Sequence, residues 1–214
     1  MEITSFEPAY HIGIKVNPSM PVSTLRQKII PKFNEAGFSN VAPERLASNV
    51  KHEIEVLAND GTVKIEMNYP LNALNTEGED SKSTTKTFEK LLSILKDLNY
   101  EIKGFSTSID VVTNVNVSTD KNPTKLINDS VKCNLEPWRE MNPNTNVNGI
   151  KIDLIDDEYA KQSLRLLVGP SSLSPTTAIV VSLRYLTIEP DSIIDFGKNL
   201  NQRIIKFLES LGGE

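Results

Sequence analysis

One order of elements runs through this chain twice, and it constrains the fold more than any motif does. Each half reads as strand, helix, antiparallel strands, helix, first over residues 10–98 and again over residues 100–211. The reading predicts an α+β protein built from two such halves, 1–98 and 99–214, joined as one compact pseudo-symmetric unit. At 214 residues the chain is long enough to bury a sizeable core.

The first half opens with Tyr10, Ile12, Ile14 and Val16 alternating with His11, Gly13 and Lys15, the period of a half-buried strand. Leu25, Ile29 and Phe33 follow at helical spacing, with Ser23 or Thr24 as cap and Gly37 as stop. Pro31 lies inside this run and is expected to kink or shorten the helix, because proline removes a donor and crowds the preceding turn. Residues 50–57 and 62–69 flank Asn59-Asp60-Gly61, a strong hairpin signal. Residues 71–86 are polar and read as a solvated loop, after which Phe88, Leu91, Leu92, Leu95 and Leu98 mark an amphipathic helix.

The second half opens with a β-prone run over residues 100–117, whose apolar parity changes near Gly104 and predicts a bulge or bend. Asn122-Pro123 has the form of a helix start, with Asn as cap and Pro in the first turn. A long polar connection covers residues 132–149. Strands follow at 150–154, 164–168 and 179–185, the last two joined by a loop over residues 169–177. A final helix, entered at Pro190, carries the stripe Ile193, Phe196, Leu200, Ile204, Phe207 and Leu211. At about 20 residues it would reach roughly 30 Å, enough to cross a whole sheet and pack on it. The layout resembles helix-grip and duplicated saddle-like folds in architecture alone, and fold by itself does not give function.

Composition narrows the function. The chain carries 23 Lys and Arg against 28 Asp and Glu, a net charge of -5 with no basic run. Nucleic-acid binding needs clustered cations and is not expected. No apolar stretch approaches the roughly 20 residues of a membrane span, so no membrane insertion is expected. Cys133 is the single cysteine, which rules out an intrachain disulfide, and the N-terminus has no signal-peptide pattern. The expected location is the cytoplasm.

Catalytic chemistry leaves little trace. His11 and His52 are the only histidines, and neither sits beside a nucleophile pattern. Asp153, Asp156, Asp157 and Glu158 lack the spacing of an EF-hand loop and read as an acidic turn. No phosphate-binding glycine loop or nucleophile elbow is present, and no cofactor is expected. The polar face of the C-terminal strands is the candidate binding surface. Lys151, Lys161, Ser163, Arg165, Ser182 and Arg184 share it by parity, with Lys161 expected opposite Arg184 and Ser163 opposite Ser182. Such a face suits an acidic partner or an anionic ligand. Trp138 and a second apolar row on the last helix, Ile194, Ile205 and Leu208, are candidate interface residues. The resulting expectation is a non-enzymatic protein-interaction or scaffold protein, a subunit of a cytoplasmic assembly that binds a protein partner or itself. The alternative is a binder of an apolar or amphipathic small molecule, held between the sheet and the C-terminal helix.

Overall fold

The computed structural model describes residues 2–15, 22–43, 53–100, 102, 107–118, 122–131, 149–155 and 162–211. The strands are β1 (Glu2–Lys15), β2 (Ile54–Asp60), β3 (Val63–Asn68), β4 (Ala73–Gly78), β5 (Thr107–Ser118), β6 (Ile150–Ile155), β7 (Gln162–Pro170) and β8 (Ala178–Thr187). The helices among the described residues are α1 (Val22–Glu35), α2 (Ser81–Asp97), α3 (Pro123–Ser130), α4 (Pro190–Lys198) and α5 (Leu200–Leu211). All eight strands join one antiparallel sheet in the order β2-β3-β4-β1-β5-β8-β7-β6, so the protein is α+β. The leading strands of the two halves, β1 and β5, pair at the centre. Outward from each runs the same sequence of neighbours: fourth, third and second strand of its half.

Strict alternation creates one apolar face. Tyr10, Ile12, Ile65, Met67, Ile109, Val111, Val181 and Leu183 point to it and are buried. The helices cover this face: α2 packs on β1, β3 and β4, α4 on β5 and β8, and α3 on β7. Phe33, Phe88, Leu92, Ile193 and Leu208 complete a core shared by both halves. None of the helices described is long and apolar enough to cross a membrane.

Three expected elements come out differently. The first strand starts at Glu2, eight residues earlier than its alternation announces, through a register shift between Ile3 and Ser5. Pro8 is tolerated there because β4 pairs with β1 only from Tyr10 onward, so the missing N–H is not needed by a second neighbour. The expected loop at 71–86 is instead β4 and the start of α2. Hydroxyls make this possible: Thr76 is fully buried with Oγ1 turned to the Ile12 carbonyl (3.4 Å), and Thr84 Oγ1 donates to the Asp80 carbonyl (2.7 Å). Asp80 caps α2, its carboxylate accepting from the Ser83 N–H at 2.7 Å.

The expected single C-terminal helix is two, α4 and α5, broken at Asn199. Asn199 leaves helical geometry (φ -118°, ψ 15°), which re-aims the chain so that both pieces bury a face. Elsewhere the local chemistry behaves as read. Gly37 takes φ 75° as the helix stop, with Phe38 N–H reaching back to the Phe33 carbonyl. Asn122 accepts from Lys125 N–H at the start of α3, with Pro123 in the first turn. Gly61 (φ 66°) opens a two-residue turn between Asp60 and Val63. Pro31 does not shorten α1, which runs through it to Glu35. The expected bulge at Gly104 lies outside the described residues.

The two outer strands are treated differently. The edge of β2 is covered by residues 39–42: Ser39 and Asn59 exchange two backbone bonds (2.9 and 3.0 Å), and Ala42 N–H donates to the Leu57 carbonyl (2.8 Å). A register shift between Val56 and Ala58 further distorts that edge. Arg26 of α1, 1% exposed, anchors the covering segment. Its Nη2 donates to the Pro43 carbonyl (2.7 Å) and to Glu55 Oε1 (2.8 Å), while Nε donates to Glu55 Oε2 (3.0 Å). The Tyr69 hydroxyl also donates to Glu55, at 2.5 Å, and burial together with that carboxylate pushes its pKa up to about 12. Strand β6 keeps an unbroken register with β7 from Ile150 to Ile155, and among the described residues no segment pairs with its outer side.

Candidate functional site

The face opposite the helices is polar, and register assembles it into a row that neither half holds alone. Lys64 of β3 lies opposite Glu77 of β4, Glu77 opposite His11 of β1, and His11 opposite Asp110 of β5. The row continues through Arg184 of β8 and Arg165 of β7 to Asp153 of β6. Seven adjacent strands thus present one line of ionisable side chains.

Lysine and arginine in the row mostly stand next to a carboxylate. Lys64 Nζ lies 3.0 Å from both Glu77 and Glu66, and these two carboxylates hold the Lys64 pKa up, Glu66 first. His11 Nδ1 is 3.6 Å from Glu77, and Arg184 Nε is 3.3 Å from Asp110. Asp153 takes Lys151 (2.8 Å) and Arg165 (2.8 Å), which together hold its carboxyl below the usual range. Arg165 and Arg184 are the exception, two guanidinium-bearing residues directly opposite one another. Each leans to a carboxylate on its far side.

Small residues sink the middle of this face. Gly13, Ala73 and Ser108 occupy adjacent strands, and a depression of about 440 Å³ opens above them, bounded by His11, Asn75, Asp110 and Arg184. A Cβ at Gly13 would come within 2.7 Å of Asn75 Oδ1, so the glycine is what lets Asn75 lie across β1. A smaller hollow of about 230 Å³ lies beyond Arg184 and Leu186, against Ser163, Arg165 and Asp153. A third, of about 410 Å³, is lined by Lys151, Leu167, Val180 and Ser182. Val112 (54% exposed) and Leu167 (40% exposed) add apolar surface on either side of Ser182.

Of the polar group expected from the sequence, Lys151, Ser163, Arg165, Ser182 and Arg184 do share this face. Lys161 lies outside the described residues. The expected register is corrected: Arg184 faces Arg165, Ser163 faces Leu186, and Ser182 faces Leu167. The hairpin turns later than expected, because Gly169 and Pro170 remain in β7 and close on Val180 and Ile179. A shift of four residues in pairing preserves parity, which is why the face survives the correction. The cations are not a free positive patch either, since carboxylates from β5 and β6 meet them.

Ile194 and Leu208 are buried in the chain's own core, whereas Ile205 is half-buried. Trp138, Cys133, His52, Asp156, Asp157 and Glu158 lie outside the described residues. Sequence reading missed Lys64, Glu77, His11 and Asp110 as members of the row. Alternation marked their strands' polar faces but could not order the strands. Among the described residues no group of three or more His, Cys, Asp or Glu could hold a metal ion.

Exposed ion pairs are worth only about 0.2–1 kcal/mol each, so a partner's charges can replace them at little cost. No family model matches the chain, and no curated protein or solved structure shows significant similarity to it.

Proposed function

We propose that this chain is a non-enzymatic interaction protein, a subunit of a cytoplasmic assembly, which receives a protein partner on the open face of its sheet. The observation that carries the reading is the row of paired charges crossing seven strands on the face no described helix covers. Exchangeable ion pairs give such a face specificity, and Val112 and Leu167 give it apolar contact area. A protein fits better than nucleic acid, because Lys64, Lys151, Arg165 and Arg184 are each met by a carboxylate. The small-molecule alternative finds less support. Tyr185 stacks on Phe196 (4.3 Å between ring centres) and Leu200 and Ile204 are buried, which fills the space between the sheet and the C-terminal helices.

The same reading treats residues 1–98 and 99–214 as two copies of one strand-helix-three-strand-helix unit of saddle-like type. Its support is the matching order of neighbours outward from β1 and β5. Fusing the two half-sheets doubles the polar face while leaving only two edges, which suits a binding platform.

The test is co-precipitation from the protein's own host with the native chain, an Arg184→Glu/Val112→Glu variant, and a helix-face control, Lys198→Glu. The double variant is expected to lose its partners and the control to keep them. Partners that survive the double variant, with all three proteins folded, would overturn the reading.

A further inference from the structure

We infer that the outer edge of β6 is a self-association site, at which a second copy of this chain adds its own β6 antiparallel and extends the sheet across a two-fold axis at Ile152. This edge borders the open face and shares Lys151 and Asp153 with it, but the pairing uses the outer backbone of β6 and does not rest on the function proposed above.

The unequal edges are the first ground. An edge strand is a template for pairing unless it is covered, bulged or otherwise blocked. The β2 edge is both covered and bulged, by residues 39–42 and at Leu57. The β6 edge is neither covered nor bulged among the described residues and its register is regular throughout; the charges it carries, Lys151 and Asp153, block pairing only in registers that set like against like.

Charge supplies the second ground and fixes the register. A two-fold axis perpendicular to a sheet keeps each face with its like face, so the axis must pass through a residue paired with itself. Centred on Lys151, the pairing would set two ammonium groups together, and centred on Asp153 it would set two carboxylates together. Centred on Ile152, Lys151 faces the Asp153 of the other copy, twice by symmetry. The two side chains already meet within one chain at 2.8 Å, and pairing lets each find the opposite charge across the axis as well.

The opposite face of the strand agrees with this register. It brings Ile150 against Leu154 of the other copy and Ile152 against its own equivalent. Leu154 is 57% exposed and Ile152 is half-buried, so the pairing covers apolar surface that one chain leaves in water.

Sedimentation velocity of the full chain over a dilution series is the test. A concentration-dependent dimer is expected, and a monomer at every concentration would overturn the proposal. Lys151→Asp and Asp153→Lys should each weaken the dimer roughly tenfold or more, since each sets like charges opposite one another twice. Their equimolar mixture should dimerise again, because every cross-axis pair is then of opposite sign. Folded single variants that dimerise like the native chain, or a mixture of folded variants that stays monomeric, would refute it. Hydrogen exchange on the native chain gives a reading free of variants. Amides of β6 should gain protection as concentration rises while those of β2 do not, and equal behaviour of the two edges would overturn the assignment.

Discussion

Replacing Gly197 by alanine should destabilise this protein, although it lies inside a helix where the same change ordinarily helps. In an open helix, Gly→Ala gains about 0.5–1 kcal/mol by reducing the freedom of the unfolded chain. Here α4 crosses α2 so closely that a Cβ at Gly197 would lie 2.4 Å from Thr85 Oγ1 and 3.4 Å from Thr85 Cβ and Cγ2. Thr85 is 1% exposed and has little room to turn away. Overpacking of this kind costs about 1–3 kcal/mol, so the balance is a net loss of roughly 1–2 kcal/mol. For a chain of this size that lowers Tm by about 2–8 °C. The decisive comparison is a double-mutant cycle with Thr85→Ala, read by thermal and urea unfolding with circular dichroism. Thr85 Oγ1 is buried without a hydrogen-bond partner, so removing it relieves both the clash and an unmet polar atom. The pair Gly197→Ala/Thr85→Ala should recover most of the loss, with a coupling of about 1 kcal/mol or more. A Gly197→Ala protein that melts higher than the native chain would refute the close α2–α4 crossing. So would a loss that Thr85→Ala leaves untouched.

Tyr10→Phe should leave stability unchanged or raise it by about 1 kcal/mol, because its buried hydroxyl closes no hydrogen bond of full geometry and Ser81 only approaches it. Burial first and the Asp80 charge second raise its pKa. A loss above about 1 kcal/mol in urea unfolding would show that the hydroxyl has a partner after all. Stability should also fall in acid. Asp60 is held below the ordinary carboxylate range by its bond from Lys90 (2.7 Å) and by Thr87, and Asp153 by Lys151 and Arg165. A carboxyl depressed in the folded state contributes fully above its unfolded pKa of about 3.9, and that contribution disappears as pH falls through the folded value. Tm measured against pH should therefore be level in these groups above about pH 5 and decline below about pH 4. Asp60→Asn should flatten that decline, and an acid limb identical to the native one would sink the assignment.

Alternation and helical spacing carried the sequence reading wherever the inward residues were hydrocarbon. Strand β8 (Ile179, Val181, Leu183, Tyr185) and helix α2 from Phe88 onward are legible for that reason. They fail where the core is lined by hydroxyls. Thr76, Thr84, Thr85 and Thr87 are all at most 2% exposed, yet their side chains count as polar in any periodicity, so β4 and the head of α2 looked like loop. The cap at Asp80 was the available signal. The break at Asn199 was hidden by the opposite effect: Ile193, Leu200 and Ile204 keep helical spacing across a residue that is not helical.

The candidate face was half legible for a more general reason. Parity is a property of one strand, whereas a row of charges is a property of strand order and register. Lys151, Arg165 and Arg184 came out on the correct face even with the hairpin misregistered, because an even shift cannot move a side chain through the sheet. Their environment could not be read in the same way. The carboxylate that meets Arg184 is Asp110, on a strand from the leading edge of the second half. Among the described residues, what the ion pairs leave in place is the direct opposition of Arg184 and Arg165. Like charges facing each other across strands cost stability, and among the described residues each is steadied by an exposed ion pair. On the proposed reading, this is the place where an incoming carboxylate would gain most, since it meets two guanidinium groups and relieves their repulsion. Substituting either arginine by glutamine should then weaken partner binding more than the same loss of charge at Lys64, whose ammonium already sits between Glu66 and Glu77. Equal losses at both positions, measured by titration with the captured partner, would mean that the face binds through its overall charge pattern and not through this pair.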